Sequence, residues 1–472
     1  MTRFFHLSRT RCTLLLAGFA VLANSLPVFA DDGDGDPTFG GNGRAIHAWP
    51  ANTIQVEVTA VAAAADGGVI AASWISYPVV QQTYSVALAR FRADGTPDPG
   101  FGDSGATMLD FNTAPRVAEY PRAVFELADR KLLIFASVRV ADSGNAERPG
   151  LMRVLPNGQP DATFGAGGVR WIDTSGWVSG VEIQMKAAVL QPDGKLLATG
   201  SCSGCASGTS YDIVVVRVMP DGALDAGFGV GGWMLVGGAN LEFPSAIALD
   251  DLGRIVIAGS VLDLDVSGAP SKPLVIRLGD DGARDASFGD DGVAIVPLAG
   301  DWRAQAIAPG RVRLGGIFTQ RRVFIAINHT SPNEGGVLAL AANGSVETTF
   351  GDNGYVDLTR EEGLQIGALA MRADSRLVAA GSIDPNGTAI SQFFAARMAF
   401  DGTLDTSFDG NGVARYPFDT PTPAYCRVRA MTLSAERPVI VGTMEDNLTP
   451  SWYTGVLRLQ SDLLFADGFE KH

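Results

Sequence analysis

The chain has few of the side chains that metal sites and nucleophilic catalysis usually need. Its 472 residues include only four histidines and four cysteines. The histidines that follow the N-terminal region, His47, His329 and His472, are too few and too scattered to reveal a Ser-His-Asp arrangement. A zinc site at Cys202 and Cys205 would require two further ligands. We therefore expect neither a metal ion nor another cofactor.

Long apolar runs are also scarce, and the run at the N-terminus is typical of a secretory signal peptide. Three arginines precede the apolar residues 12–23, and residues 28–30 read VFA, a small-residue cleavage site before an acidic start. The alternative, an uncleaved anchor, is disfavoured because the run is shorter than the roughly 18 residues of a spanning helix. We expect residues 1–30 to be removed and the product to be periplasmic, cell-surface or secreted, with no membrane span.

Basic residues are outnumbered by acidic ones, which limits the possible partners. The formal net charge is −15, and loss of the three arginines in residues 1–30 makes it −18. Such a surface repels nucleic acid and anionic lipid, so we exclude nucleic-acid binding. The acidic stretch Asp31–Asp36 resembles the start of a calcium loop. However, Pro37 stands where a turn glycine is wanted and Gly43 where a bidentate glutamate is wanted, so a solvated leader is the preferred interpretation.

Two of the three cysteines beyond residue 30 are close together in the sequence. Cys202-Ser-Gly-Cys205 is expected to form a local disulfide that closes a loop, because exported proteins meet oxidising conditions. Free thiols, or metal or redox chemistry, are the alternatives. Cys426 is expected to be buried.

Glycine is abundant, and one glycine-rich stretch imitates a nucleotide-binding loop. Gly227–Gly232 reads GFGVGG, which fits the spacing G-x-G-x-x-G, but a phosphate loop should occur once. A relative of the pattern D-x-x-F-G-x-x-G recurs seven times, with a degenerate eighth copy at 462–465. The motif therefore marks repeats, and the protease-like GDSG at 102–105 is a turn within it. The seven phenylalanines of the motif are Phe39, Phe101, Phe164, Phe228, Phe288, Phe350 and Phe408.

Each repeat of about 60 residues contains the pattern of four short β-strands. Apolar segments of four to eight residues, rich in Val, Ile and Leu, alternate with Asp-Gly or Asn-Gly turns, as in antiparallel hairpins. Helical signals are almost absent. Residues 360–376 resemble an amphipathic helix in isolation. However, the repeat register aligns them with residues 245–260 of another repeat, so they should form the equivalent hairpin.

Seven such units predict an all-β fold, a seven-bladed β-propeller of four-stranded antiparallel blades, because a ring protects the strand edges. The first motif copy has no strand before it, and the last repeat ends with residues 454–462. We therefore expect N- and C-terminal segments to close the ring in one blade. The domains are a signal peptide (1–30), the propeller (31–462) and a C-terminal tail or degenerate repeat (463–472). Eight blades are the alternative if the tail recruits another chain, although we expect a monomer.

The segments AVLQPDGKLLATGS and IVVVRVMPDGALDAGFGVGG resemble the bacterial delta-60 repeats. This resemblance extends over about residues 36–465 and implies a secreted or surface β-propeller, without a common catalytic motif or established activity. The ending DLLFADGFE is similar to the short LFxDGFE tails of exported gammaproteobacterial proteins.

Residues that recur in every repeat are expected to serve the fold. The phenylalanines of the motif are interpreted as packing between blades, and the glycines four residues after them as positions of positive φ or of close backbone approach. Recurrent arginines stand eight residues before an aspartate in five repeats, and each is expected to bond a nearby carboxylate or turn carbonyl. The fifth repeat has Ala339 at this position. The arginines are Arg90, Arg153, Arg217, Arg277, Arg397 and Arg458.

Function is expected where the repeats differ, which is mainly in the segments that link their third and fourth strands. Five aromatic residues there come from the first and last blades and suit recognition of a sugar or peptide: Trp74, Tyr77, Tyr84, Trp452 and Tyr453. Alternatively, they cap the hydrophobic cores. The sequence favours a non-enzymatic interaction module that presents its loops to an unknown protein or glycan. A carbohydrate-active hydrolase or lyase, or a purely structural envelope protein, are the alternatives.

Overall fold

The computed structural model of the protein describes most of one compact unit that spans Asp31–His472. The described residues are 33–77, 84–111, 116–140, 147–174, 182–205, 211–237, 240–262, 268–314, 317–330, 333–358, 363–383, 391–418, 423–446 and 451–460. The expected signal peptide and C-terminal tail lie outside these ranges. In the described part of the chain, no helix has the length and apolar character needed to cross a membrane.

The described residues form 28 strands and no helix, which confirms the all-β prediction. In chain order the strands are β1 (Arg44–Ala48), β2 (Gln55–Ala63), β3 (Val69–Ser76), β4 (Tyr84–Phe91), β5 (Ala106–Leu109), β6 (Arg116–Glu126), β7 (Leu132–Val140), β8 (Glu147–Val154), β9 (Val169–Trp171), β10 (Glu182–Leu190), β11 (Leu196–Ser203), β12 (Tyr211–Val218), β13 (Trp233–Val236), β14 (Leu241–Leu249), β15 (Ile255–Leu262), β16 (Lys272–Leu278), β17 (Val293–Ile295), β18 (Trp302–Leu314), β19 (Ile317–Thr330), β20 (Asn333–Ala341), β21 (Tyr355–Asp357), β22 (Gln365–Met371), β23 (Leu377–Ile383), β24 (Gln392–Met398), β25 (Val413–Tyr416), β26 (Pro423–Ser434), β27 (Arg437–Asp446) and β28 (Ser451–Arg458).

The strands pair in antiparallel sets of four. Five sheets have four strands each, and a sixth has eight because one parallel residue pair, Tyr84 with Ala118, joins β2–β5 to β6–β9. We call each set of four a group, named after its first strand, and we call β2, β6, β10, β14, β18, β22 and β26 the inner strands. The helix-like stretch 360–376 contains strand β22, as the repeat register predicts.

The β26 group combines the two ends of the described chain. Strand β1 pairs with β28, so that Arg44 faces Leu457 and Ala48 faces Tyr453. The N-terminal strand therefore supplies the fourth strand of the sheet that the last repeat begins. Next to it, the amide of Asp36 donates to the carbonyl of Arg458 at 2.8 Å.

Hydrophobic cores lie between successive groups. Each of seven clusters contains apolar residues of two groups and one motif phenylalanine, and all seven phenylalanines are at most 3% exposed. One cluster joins the first and last groups, since Val56 of β2 and Val441 of β27 both pack with Phe39. Burial of such a ring excludes a large apolar area from water, which accounts for its recurrence in every repeat.

The glycine four residues after each motif phenylalanine has a positive φ, from 83° at Gly43 to 100° at Gly232. At Gly43 a Cβ atom would also lie 2.3 Å from the Cα of Gly35. Glycine is needed there for both its backbone conformation and its lack of a side chain.

A hydrogen bond from an inner strand to the second strand of the preceding group recurs around the molecule. The amide of Ala304 donates to the hydroxyl of Ser260 at 3.2 Å, and the amide of Val58 donates to the hydroxyl of Thr443 at 2.8 Å. The same bond joins Met185 to Ser137, Ile366 to the Asn328 side chain, and Val428 to Ser382. Pro121 and Pro244 occupy the donor position in the other two inner strands, and proline has no amide hydrogen to donate.

The prolines provide a matched pair of substitutions for testing this bond. Ser260→Ala should lower the free energy of unfolding by about 1–3 kcal/mol, because it leaves the buried Ala304 amide without an acceptor. Ser201→Ala should change it by less than about 0.5 kcal/mol, because Ser201 is equivalent to Ser260 but precedes the group of Pro244, and its buried hydroxyl has no partner among the described residues. Urea denaturation of both variants measures the difference. Equal losses would contradict the assigned role.

Candidate functional site

One cavity of about 780 Å³ is lined by residues of all seven inner strands. Polar side chains predominate in its wall. The lining residues of each inner strand lie between its start and its central bulge. The others lie at the end of a second strand, for example Trp74, which pairs with Glu57. At that end of each group the second strand leads to the third through the variable connections singled out in the sequence. These strands are the third and fourth of the sequence repeat, because the repeat was counted from the short strand that ends the preceding group. Most residues of those connections lie outside the described ranges.

A β-bulge directs one residue of every inner strand into this cavity. Near the middle of each strand the pairing skips one residue, and β6 and β26 have a further irregularity near their first residues. A bulged residue is free of ladder pairing, so its side chain can be redirected. The skipped residue lines the cavity in all seven cases. These bulge residues are Thr59, Arg122, Lys186, Ser245, Gln305, Gly367 and Arg429.

The bulge residues were missed by sequence reasoning, although the repeats contain a signal for them. Each is followed by alanine, as in Val58-Thr59-Ala60 and Val428-Arg429-Ala430. The residue itself varies in size and charge between repeats. Aligning the repeats on the invariant alanine would have found the position, but not its orientation toward the cavity.

The cavity is cationic, in contrast to the acidic chain as a whole. Five of its lining residues are basic and Glu57 is the only carboxylate among them. The Arg429 Nε lies 2.6 Å from Glu57 Oε1, and Arg427 Nη1 lies 3.6 Å from the same oxygen. Lys186 Nζ donates to the Gln184 side chain at 3.2 Å. The exposed Arg303 lies 3.7 Å from Asp301.

Arg122 has the most unusual environment of these cations. Its guanidinium lies 5.2 Å from the centre of the Tyr120 ring, and within the described part of the chain its buried Nε has no hydrogen-bond partner. Burial lowers the pKa of Arg122, and the Glu147 charge partly offsets this effect. A half-buried guanidinium with spare donors is suited to an anionic ligand.

Two of the five aromatic residues selected from the sequence come together at the cavity. The Trp74 ring lines the cavity and lies edge-on to Tyr84, with centroids 4.8 Å apart. Tyr120, which the sequence analysis did not select, completes the cluster at 6.3 Å from Trp74 and 5.8 Å from Tyr84. Burial raises the pKa of Tyr120. We call these three residues the aromatic cluster.

The other three selected aromatic residues pack against hydrophobic cores. Tyr77 and Trp452 contact the core between the last and first groups, and Tyr453 contacts the core on the opposite face of β28. The Tyr77 hydroxyl also donates to the sulfur of Met108 at 3.0 Å. In the described residues no ring contact joins these three to Trp74. This arrangement matches the alternative that they cap the cores.

The recurrent arginines all lie beside carboxylates. Arg90, Arg153, Arg217, Arg277 and Arg397 each place Nε within 3.0 Å of the aspartate eight residues later. A hydrogen bond from Ser287, together with Arg277, lowers the pKa of Asp285 to about 2. Arg458 has Asp36 as its partner at 2.8 Å, from the other end of the chain.

The fifth repeat, which has Ala339 in place of the arginine, obtains a guanidinium from the neighbouring strand. Arg322 of β19 donates to Thr349 at 2.8 Å and lies 3.4 Å from Glu347. Its guanidinium carbon lies 4.6 Å from the centre of the Phe400 ring. The carboxylates of these repeats are therefore held in ion pairs.

The three cysteines of the described residues form one disulfide and one buried thiol. Cys202 and Cys205 are joined as a disulfide, and Cys426 is buried, which raises the pKa of its thiol to about 12. Among the described residues, no three His, Cys, Asp or Glu side chains are grouped to hold a metal ion. The interpretation of the acidic leader as solvated is wrong for Asp36, which is buried because Arg458 and Arg437 pair with its carboxylate. Asp31 and Asp32 lie outside the described ranges.

Comparison with known families identifies three segments of propeller repeat. Residues 64–101, 127–164 and 191–228 match the family described as a domain of unknown function (DUF5122) beta-propeller. The three segments end at the motif phenylalanines Phe101, Phe164 and Phe228. Together with the four-stranded antiparallel sheets, this match supports a β-propeller repeat protein. A search of curated proteins found no match to the chain.

Solved structures that resemble this chain have little sequence identity to it. A protein of unknown function from Dyadobacter fermentans DSM 18053 is 9% identical over 88% of this chain and 98% of its own, with a TM-score of 0.46. The polysaccharide lyase Uly1 is 11% identical over 88% and 90%, with a TM-score of 0.46. An α-L-arabinanase from Penicillium chrysogenum is 14% identical over 74% and 95%, with a TM-score of 0.42.

Proposed function

We propose that the protein is an exported, non-enzymatic recognition module, built as a closed ring of seven four-stranded blades. Its ligand, a glycan or protein segment, is proposed to bind at the cavity mouth beside the variable connections. The observation that carries this proposal is the polar cavity of about 780 Å³ with the aromatic cluster in and beside its wall. Its volume lies within the range of about 300–1,000 Å³ that is typical of small-ligand sites.

Contacts between the first and last groups support the closed ring. The inner strands β2 and β26 contact each other, as do all successive inner strands. The Val58 amide donates to Thr443 across this junction, as equivalent residues do between other groups. Phe39 packs there like the other motif phenylalanines. Seven groups joined by seven such contacts between inner strands support the proposal of a ring without an open end.

The carboxylates of the described residues favour binding over glycoside hydrolysis. Hydrolysis of that kind commonly needs two carboxyl groups facing each other across the substrate. Glu57 is the single carboxylate among the cavity-lining residues, and it is held by Arg429. The remaining alternative, a structural envelope protein, has no need of a polar cavity with an aromatic wall.

The proposal predicts that removing the Trp74 ring abolishes most of the binding to a glycan or peptide array. The protein would be residues 31–472, and Trp74→Ala should weaken a specific hit about tenfold or more, because a stacked aromatic anchor contributes on the order of 1–3 kcal/mol. Trp452→Ala is the matched control, since it removes an indole outside the cavity lining.

Both variants would first be compared with the unchanged protein by circular dichroism and thermal unfolding. Retained affinity in Trp452→Ala with loss in Trp74→Ala would support the site. No specific hit on the array, or hits that both variants bind unchanged, would contradict the proposed recognition role.

A further inference from the structure

The basic residues of the cavity stand at positions where the fold does not require them. Three of the seven bulge residues are cationic, Arg122, Lys186 and Arg429, while equivalent positions carry Thr59 and Gly367. The same bulge forms with or without a side chain. A requirement of the fold would appear in every repeat, as the motif phenylalanines do. The cations therefore need another explanation.

The charge of the cavity also opposes the charge of the molecule. Five basic residues and one carboxylate line it, whereas the whole chain has 36 basic and 51 acidic residues. Charges of one sign on the walls of a cleft focus the electrostatic field and concentrate ions of opposite sign there. The acidic surface should repel an anionic group, whereas the basic residues of the cavity should attract it, so an anion should bind only at the cavity.

The uncharged part of the wall resembles a surface for hydroxyl-rich ligands. It includes the three glutamines Gln55, Gln305 and Gln365, together with serine and threonine hydroxyls, and it has few apolar side chains. Amides and hydroxyls can donate to and accept from the hydroxyl groups of a sugar. Trp74 adds an aromatic face at the same wall. An anionic peptide has fewer hydroxyl groups than a sugar, so it would leave many of these donors and acceptors without a ligand partner.

We infer that the cavity is an anion site for an acidic oligosaccharide, whose carboxylate or sulfate groups contact the basic residues of the bulges. Arg122 is the principal contact, because among the described residues no carboxylate forms an ion pair with its half-buried guanidinium, which lies 5.2 Å from the centre of the Tyr120 ring. Glu57 orients Arg429 through their 2.6 Å contact. Trp74 and the amides of the wall contact the sugar rings. This inference rests on the proposed recognition function and names its ligand class.

The test uses ligands that differ only in charge. Titration calorimetry would compare a tetrasaccharide of galacturonic acid with its methyl ester, and a sulfated tetrasaccharide with its unsulfated counterpart. Panels of other uronic-acid tetrasaccharides with their esters would accompany them. The acidic member of at least one pair should bind at least tenfold more tightly, with affinity that falls as salt rises.

Variants then assign the charge dependence to the cavity. Arg122→Gln should weaken the acidic ligand tenfold or more and leave the ester unchanged. Arg92→Gln is the matched control, because it removes one exposed cation outside the cavity lining and should have no effect. The readout is the ratio of the affinities for the charged and the esterified ligand. A general loss of structure would weaken both and leave this ratio unchanged, whereas loss of the Arg122 charge should weaken only the charged ligand.

The outcomes separate this inference from the function on which it rests. Equal binding of the charged and neutral members, with loss in Trp74→Ala, would overturn the anion site and leave the recognition function standing. Binding to peptides alone would likewise overturn it. No binding to any acidic oligosaccharide overturns the inference, and absence of all array hits as well overturns the proposed function.

Discussion

Replacing Arg458 with methionine is expected to lower the free energy of unfolding by about 3–5 kcal/mol, because it removes the cation of a buried ion pair and leaves its partners without donors. The buried Arg458 guanidinium donates to Asp36 at 2.8 Å, to the Ala93 carbonyl at 2.8 Å and to the Gly67 carbonyl at 3.1 Å. It also lies 4.5 Å from the centre of the Phe39 ring. One side chain therefore ties the last strand to the N-terminal segment and the β2 group.

Urea denaturation of residues 31–472 would measure this loss. Arg458→Lys should recover only part of it, because an ammonium group lacks the planar fork of donors. Arg92→Met is the control, since this exposed residue makes a single ion pair at 3.6 Å and should change the free energy by less than about 1 kcal/mol. A loss below about 1 kcal/mol for Arg458→Met would contradict a central role at the junction of the chain ends.

The buried carboxyl group of Glu119 is expected to make stability fall as pH rises from about 5 to 9. Burial raises the pKa of Glu119 to about 8, with a further contribution from the Asp110 charge, although the amides of Phe111 and Val86 donate to it. In the unfolded chain the pKa returns to its ordinary value near 4.5. Between these two pKa values the folded protein holds a proton that the unfolded chain has released. The contribution to stability is therefore complete below about pH 4.5 and is lost progressively as the pH rises to about 8.

The expected loss from this group is on the order of 4 kcal/mol between pH 5 and pH 9. Glu119→Gln should remove this pH dependence, which urea denaturation at several pH values can measure. Glu347→Gln serves as a control of opposite sign. The hydrogen bond from Thr349 and the charge of Arg322 lower the pKa of Glu347, so its contribution is lost as pH falls. Unchanged pH dependence in Glu119→Gln would refute the assignment.

Much of the fold follows from the sequence because the repeat period and the turn residues are strong local signals. The recurrent Asp-Gly and Asn-Gly turns locate the hairpins, and comparison of repeats corrects the helix-like residues 360–376. Each of these inferences needs only neighbours in sequence or equivalent positions in another repeat.

The site was harder to predict because it depends on which strand lies innermost and where that strand bulges. Trp74 was selected as a loop aromatic and lies on β3, but its partner Tyr120 lies on the inner strand β6 of the next group, 46 residues later. Arg122 looks like any surface arginine in the sequence, and only the bulge beside Pro121 directs it to the cavity. Arg322 replaces a missing arginine from the adjacent strand, which repeat alignment alone does not reveal.

The pairing of β1 with β28 has a consequence for the order in which the molecule assembles. Arg44 and its partner Leu457 are 413 positions apart, so the first strand to be synthesised has no partner until the last one is made. Closing so long a loop is entropically costly and slow. Until then β1 and the open edge of the β26 group are free to pair with other chains. Assembly is thus conditional on a complete chain, and a prematurely terminated product would keep an open edge that invites aggregation or proteolysis.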